Sequence, residues 1–139
     1  MPLHPEPEQQ ADSLRALMAM IVAIVIGEGS LICMPFIVGG IVERYQLAEG
    51  AAGIVTSLQF ATMGLASIAI LNRVHKIDRR RWILIGAGFI LLGHAMAMLS
   101  SSWMLFLIGR VITGLGEGTA LSIGNATAAG TRRPQKAFS

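Results

Sequence analysis

Three ionisable side chains, Glu28, Arg110 and Glu117, lie inside long apolar segments of this sequence. A charge at the centre of a membrane helix costs about 2.5–3.5 kcal/mol on insertion scales, so such residues rarely face lipid. Arg110 precedes Glu117 by seven residues, or about two helical turns, which places both on nearly the same helix face. We therefore predict an ion or substrate path with a carboxylate that takes up a proton. A buried ion pair that fixes helix packing is the alternative.

The remaining polar residues and glycines of the apolar segments favour packing roles. Gln59 is expected to make an interhelical hydrogen bond, and His94 to be a hydrogen-bonded packing residue. Gly114 and Gly118 form a pair of small residues four apart, which allows two helices to approach closely. The sequence contains no metal-ligand cluster, nucleophile triad or phosphate-binding loop. We therefore expect no cofactor, no metal and no enzymatic activity.

The elements that carry these residues are predicted to be membrane helices. The chain has 139 residues, of which 53% are hydrophobic and only 14% charged, whereas soluble domains carry about 25% charged residues. A run of about 20 apolar residues spans a bilayer. Residues 1–13, with three prolines, are expected to be a disordered cytoplasmic tail, and Pro35 should kink the first helix. The predicted transmembrane helices cover about residues 16–42, 50–71, 82–99 and 103–129.

Basic residues between the apolar segments predict the orientation in the bilayer. Of the 11 Lys and Arg residues, Arg110 is within a helix, Arg44 is in the first loop, and the other nine share one side of the membrane. Cytoplasmic loops carry an excess of Lys and Arg, so the N-terminus should be cytoplasmic. We expect an integral protein of a bacterial inner (plasma) membrane. Nucleic acid is excluded as a partner because these basic residues alternate with lipid-embedded segments rather than forming one basic face.

Two stretches carry a resemblance to a transporter family. In that family, the loop after the second helix contains a glycine, then Asp-Arg and then Gly-Arg-Arg. This chain has Ile68 in place of that glycine and Asn72 in place of that aspartate. The loop residues that match are Arg73, Arg79, Arg80 and Arg81. Residues 107–118 resemble the family's arginine followed by spaced glycines, which is associated with proton coupling. The chain thus resembles the Major Facilitator Superfamily.

The resemblance implies an all-α membrane fold in which residues 14–139 form part of a six-helix N-terminal half. In the family, two such halves surround a central cavity, and the first and fourth helices line it. Glu28, Arg110 and Glu117 would then share the transport path. The implied function is transport of an unknown small solute, with proton coupling and alternating access. The chain would be an inactive fragment whose partners are lipid and the missing C-terminal helices.

Two other interpretations stay open. The chain could be a complete four-helix exporter of the small multidrug resistance type, which also has a glutamate in its first helix. Arg110 and the long basic second loop count against that interpretation. It could instead be a membrane scaffold or assembly subunit without transport activity, in which case the buried charges would contact partner helices.

Overall fold

A computed structural model describes residues 7–74 and 76–129, and these residues form helices and short loops. The all-α membrane fold predicted from the sequence is confirmed, although the described residues form five helices rather than four. In chain order they are α1 (Pro7–Ile32), α2 (Met34–Tyr45), α3 (Glu49–Leu71), α4 (Arg79–Leu99) and α5 (Trp103–Ala129).

The additional helix arises because the first predicted span is divided at Cys33. Helices α1 and α2 meet there at a bend of 46°. Pro35 is in the first turn of α2 and has no N–H to donate to the carbonyl of Leu31, so the helix cannot continue straight through this position. The predicted kink is therefore present, two residues before the proline that causes it.

Two helices begin earlier than the sequence predicted. Helix α1 begins at Pro7, so residues 7–13 are helical where a disordered tail was expected, and residues 1–6 lie outside the described residues. Proline is favoured at a first helical position because its missing N–H has no intrahelical partner there. Helix α4 begins at Arg79 rather than Trp82, because the Asp78 side chain caps it by accepting from the backbone N–H of the next turn.

Helix α5 is the centre of the bundle and contacts α1, α3 and α4. In its most apolar stretch 56% of the residues are buried, against 28% in α3 and 17% in α4. The outer helices instead expose large apolar side chains such as Leu91, Leu65 and Phe36. Exposed apolar surface on this scale is characteristic of helices that face lipid.

The lengths and apolarity of the helices fit a bilayer. Three helical stretches are long and apolar enough to cross it: Gly50–Leu71, Arg79–Leu99 and Trp103–Ala128. A fourth span results if α1 and α2 together form one bent crossing. Successive helices then alternate in direction, so that the first and third loops share one side and the basic second loop lies on the other.

Contacts between the end of α2 and the third loop support this alternation. Arg44 Nη2 donates to the carbonyl of Ser100 at 2.7 Å, and the Tyr45 hydroxyl donates to the same carbonyl at 3.1 Å. The Tyr45 ring also packs against Trp103 and Phe106, with ring centroids 5.6 and 5.3 Å away. These aromatic residues close the end of the bundle where α2 ends and α5 begins.

Candidate functional site

Glu117 lies in the interface between α5 and α3, where it meets a neutral partner. The side chain is 1% exposed, and Gln59 Nε2 of α3 donates a hydrogen bond of 2.8 Å to its Oε2 atom. Gln59 is also 1% exposed, so both groups are removed from solvent and lipid. The interhelical hydrogen bond predicted for Gln59 is therefore confirmed, and its acceptor is the carboxyl group of the candidate site.

Close approach of the two helix backbones makes this contact possible. A Cβ atom at Gly114 would collide with the Gln59 carbonyl and the Thr62 hydroxyl, and one at Gly118 would collide with the Met63 carbonyl. The two glycines that the sequence suggested for helix packing thus lie where α5 touches α3. Their missing side chains bring the α3 backbone near enough for the short Gln59 side chain to reach Glu117.

Arg110 lies two turns before Glu117 on nearly the same face of α5, and it has no such partner. Its side chain is 4% exposed, and its Nε atom is buried without a hydrogen-bond partner. Within the described residues it forms no ion pair, since none of its nitrogens lies within 4.0 Å of a carboxylate oxygen. The predicted alternative of a direct Arg110–Glu117 ion pair is therefore not present. The two groups are separated by about 10 Å of helix rise.

Arg110 instead borders a cleft of 270 Å³ between α2, α4 and α5, which we call the Arg110 cleft. Its walls are largely apolar and include Phe36, Ile41 and Phe106. His94 of α4 also lines the cleft, and its Nδ1 atom lies 2.8 Å from the carbonyl of Ile90. The local helical hydrogen bond agrees with the packing role predicted for His94, but no sequence pattern indicated that this ring borders a cleft.

Glu28 is the third candidate residue. It belongs neither to the Glu117–Gln59 pair nor to the lining of the Arg110 cleft. It lies on α1 with an exposed side chain that has no hydrogen bond or ion pair to any described residue. Its neighbour Gly27 packs against α5, where an added Cβ would come within 3.0 Å of Leu121 and 3.2 Å of the Glu117 carbonyl. Glu28 therefore lies at about the level of Glu117 on an adjacent helix, with its carboxyl group on the outside of the described bundle.

The basic loop between α3 and α4 is organised by a residue that the sequence analysis missed. Asp78 Oδ1 accepts hydrogen bonds from the backbone N–H groups of Arg80 and Arg81 at 3.0 and 3.4 Å, and Asp78 Oδ2 lies 3.2 Å from Arg81 Nε. The signal was an aspartate directly before a helix, which is a preferred N-cap residue. Asn72 ends α3, with its N–H donating to the Ile68 carbonyl at 3.2 Å.

The side chains of the matching arginines in this loop point mostly outward. Arg73, Arg80 and Arg81 are exposed, and Arg79, the first residue of α4, is partly exposed. None of them approaches the Glu117 pair or the Arg110 cleft. The structure therefore separates the residues singled out from the sequence into a buried pair, an arginine at a cleft, an exposed carboxyl group and an exposed basic loop.

Comparison with known protein families identifies a family to which most of the chain is similar. The sequence profile of the Major Facilitator Superfamily matches residues 16–137. No curated protein and no solved structure matches the chain significantly.

The family match and the apolar helices together establish the class of the protein. The helices are those of an integral membrane protein, and the members of the matched family are transporters rather than enzymes. The function is therefore solute transport across a membrane. The profile covers all five helices from residue 16 onward, including Glu28, Arg110 and Glu117. The chain belongs to the Major Facilitator Superfamily.

Proposed function

We propose that this chain takes part in proton-coupled secondary transport of a small solute, and that Glu117 is the group that carries the proton. The observation that supports this proposal is the neutral partner of Glu117. A carboxylate locked to an arginine stays ionised, whereas one held by a single amide N–H can be protonated on its other oxygen while it keeps that hydrogen bond. The Gln59 contact at 2.8 Å thus suits both states.

Arg110 has a supporting electrostatic role in this proposal. It is the only basic residue within the apolar part of α5, two turns from Glu117 on nearly the same face. In a medium of low dielectric constant, a positive charge two helical turns away still favours the ionised carboxylate. Arg110 would therefore help Glu117 to release its proton without forming the direct pair that would prevent proton uptake.

Glu28 supplies the second acid of the proposed path. An exposed carboxyl group within a membrane helix is costly next to lipid, so it is expected to face water or another protein segment. Its position beside Gly27, which packs on α5 at Glu117, puts it one helix away from the buried acid. We propose that Glu28 lies on the face of α1 that borders the solute path in the assembled transporter.

We also propose that these 139 residues do not transport solute by themselves. Alternating access requires two repeats or bundles that rock around a site near the middle of the membrane. The described helices supply three spans, or four if α1 and α2 form one, and they leave Glu28 exposed. Liposomes that contain the 139-residue chain should show no saturable flux driven by a proton gradient. Saturable flux that disappears on substitution of Arg110 would support a small oligomeric exporter instead.

The experiment that tests proton coupling uses the gene expressed from its intact genomic locus. Inverted membrane vesicles are energised, and candidate solutes are screened for those that dissipate the pH gradient, which a pH-sensitive dye reports. For a solute that does so, Glu117→Gln should abolish proton movement while binding is retained. Arg110→Ala should reduce uptake far more than it reduces the amount of protein in the membrane.

The matched control is Glu43→Gln, which neutralises an exposed carboxyl group near the end of α2. It should leave coupling unchanged. Unaltered proton movement in Glu117→Gln would contradict the assignment, and loss of coupling in Glu28→Gln alone would transfer the proton-carrying role to Glu28.

A further inference from the structure

The Arg110 cleft combines a cation and apolar walls in a way that the proton-coupling proposal does not use. The cleft has a volume of 270 Å³, close to the lower end of the range for small-molecule sites. Phe36 and Ile37 of α2, Ala97 and Met98 of α4, and Phe106 of α5 form its apolar walls. It therefore has room and surface for the apolar body of a small organic molecule.

The guanidinium of Arg110 is the polar group that this cleft leaves without a partner. The side chain is 4% exposed, and its Nε atom has no hydrogen-bond partner. A buried charge is strongly disfavoured unless an opposite charge and hydrogen-bond acceptors compensate it. No described residue supplies a carboxylate within ion-pair distance of Arg110, so its guanidinium keeps the capacity to pair with an anion from outside the described helices.

The other polar residues of the cleft reinforce its preference for an anion. Arg44 adds a second positive charge, although its Nη2 donates to the carbonyls of Met98 and Ser100 at 3.2 and 2.7 Å. His94 is held at the Ile90 carbonyl and brings no negative charge. Among the described residues that line the cleft, none is acidic. The cleft is thus a positively charged recess in which Arg110 has neither an ion-pair partner among the described residues nor a hydrogen-bond partner for Nε.

We propose that the Arg110 cleft binds a small organic monocarboxylate, with the carboxylate on the Arg110 guanidinium and the apolar body against Phe36 and Phe106. A planar guanidinium presents paired N–H donors that match the two oxygens of a carboxylate. The apolar walls favour a ligand with a hydrocarbon body over a small inorganic anion. This inference rests on the proposed transport function insofar as it names the class of solute that is carried.

Equilibrium binding to the 139-residue chain tests this inference. The chain is placed in nanodiscs of phosphatidylcholine, so that no anionic lipid competes for Arg110. Radiolabelled phenylacetate and phenylacetamide are the two probes, because they have nearly the same shape and differ in charge. Phenylacetate should bind at least about tenfold more tightly, since hydrogen bonds to charged groups are stronger than neutral ones. Inorganic phosphate should compete poorly.

Substitutions then assign the preference to Arg110. Arg110→Gln should weaken phenylacetate binding by about tenfold to a hundredfold and leave phenylacetamide binding unchanged, and Arg110→Lys should restore part of the loss. Arg81→Gln is the matched control, because Arg81 is exposed in the first turn of α4, away from the cleft, and its substitution should not affect binding of either probe. Circular dichroism and gel filtration confirm that each variant is folded.

Several results would overturn the inference. Equal binding of phenylacetate and phenylacetamide to the unsubstituted chain would do so without any variant. Unchanged phenylacetate affinity in Arg110→Gln would show that another group holds the carboxylate, and competition by phosphate at the same concentration would show a simple inorganic-anion site. These outcomes are independent of flux. Carboxylate binding that depends on Arg110 but never leads to transport would contradict the proposed function and leave the binding site established.

Discussion

The two buried charges of α5 lie in contrasting surroundings. On the α3 side, Glu117 is enclosed in a close helix contact and is satisfied by Gln59 at 2.8 Å. On the α2 and α4 side, Arg110 borders an apolar cleft of 270 Å³ and has no ion-pair partner among the described residues. Both side chains are almost completely buried, at 1% and 4% exposure, so burial alone does not distinguish them.

The contrast separates a contact that stabilises the fold from a group that is free to bind a ligand. A satisfied polar pair between packed helices specifies how those helices fit together. An unpaired buried cation instead makes a net unfavourable contribution, which an external anion can offset. Substitutions in the α3–α5 interface should therefore lower the free energy of unfolding. Loss of the positive charge at Arg110 should leave it nearly unchanged.

The largest expected effect is a difference in thiol labelling that shows on which side of the membrane the Arg110 cleft lies. Ser101 and Asn72 are both exposed and lie in loops at opposite ends of the bundle. In a Cys33→Ser background, which removes the sole cysteine, Ser101→Cys should react with an impermeant thiol reagent added outside intact cells, and Asn72→Cys should not. The measurement is the labelled fraction of each variant before and after the cells are opened.

The reverse labelling pattern would show that the basic loop is outside. It would also place the Arg110 cleft, which lies toward the Ser101 end of α5, in the cytoplasmic half of the membrane. The parent Cys33→Ser chain, which has no thiol, controls for background labelling.

The next largest expected effect is a loss of stability when the close contact between α3 and α5 is disturbed. Gly118→Ala should lower the free energy of unfolding by about 3 kcal/mol, because the added Cβ would collide with the Met63 backbone carbonyl, which cannot move without shifting α3. The matched control is Gly64→Ala in α3, where a Cβ would have no neighbour within 4 Å. Circular dichroism during titration with SDS measures both, and equal stability of the two variants would contradict the close approach.

A smaller loss is expected when only the hydrogen bond of the buried pair is removed. Gln59→Leu leaves Glu117 buried without a donor and should lower the free energy of unfolding by about 2 kcal/mol. Glu117→Gln should cost less than half as much, because an amide oxygen still accepts from Gln59. The same SDS titration measures both variants. If Gln59→Leu is as stable as the unsubstituted chain, the hydrogen bond does not contribute to helix packing.

The sequence predicted the existence of the helices better than their ends. The charge-free segment that became α3 was placed within one residue of its observed limits because a long apolar run in a bilayer can only be helical. The start of α4 was missed by three residues, since the cap provided by Asp78 extends the helix into the charged loop. The break at Cys33 was expected near Pro35, because a proline has no backbone N–H to donate within a helix and can be recognised directly in the sequence.

The surroundings of the candidate residues were less predictable. Helical periodicity placed Arg110 and Glu117 on nearly one face, and both are buried as that would suggest. Periodicity within one helix does not reveal which neighbouring helix each residue meets, because that depends on how α3 and α4 pack around α5. Gln59 beside Glu117 and His94 in the Arg110 cleft are consequences of that packing.

The smallest expected effect is the change in the free energy of unfolding when Arg110 is replaced by an apolar residue. Arg110→Met replaces an uncompensated cation with an apolar side chain of similar length in an apolar cleft, so the free energy of unfolding should change by less than about 1 kcal/mol and should not fall. Arg44→Met is the comparison, because Arg44 donates to the carbonyls of Met98 in α4 and Ser100 in the third loop, and this variant should lose about 1 kcal/mol of stability. SDS titration again measures both. A loss of about 3–5 kcal/mol in Arg110→Met is the signature of a broken buried ion pair, and it would show that Arg110 has an anionic partner within the folded chain.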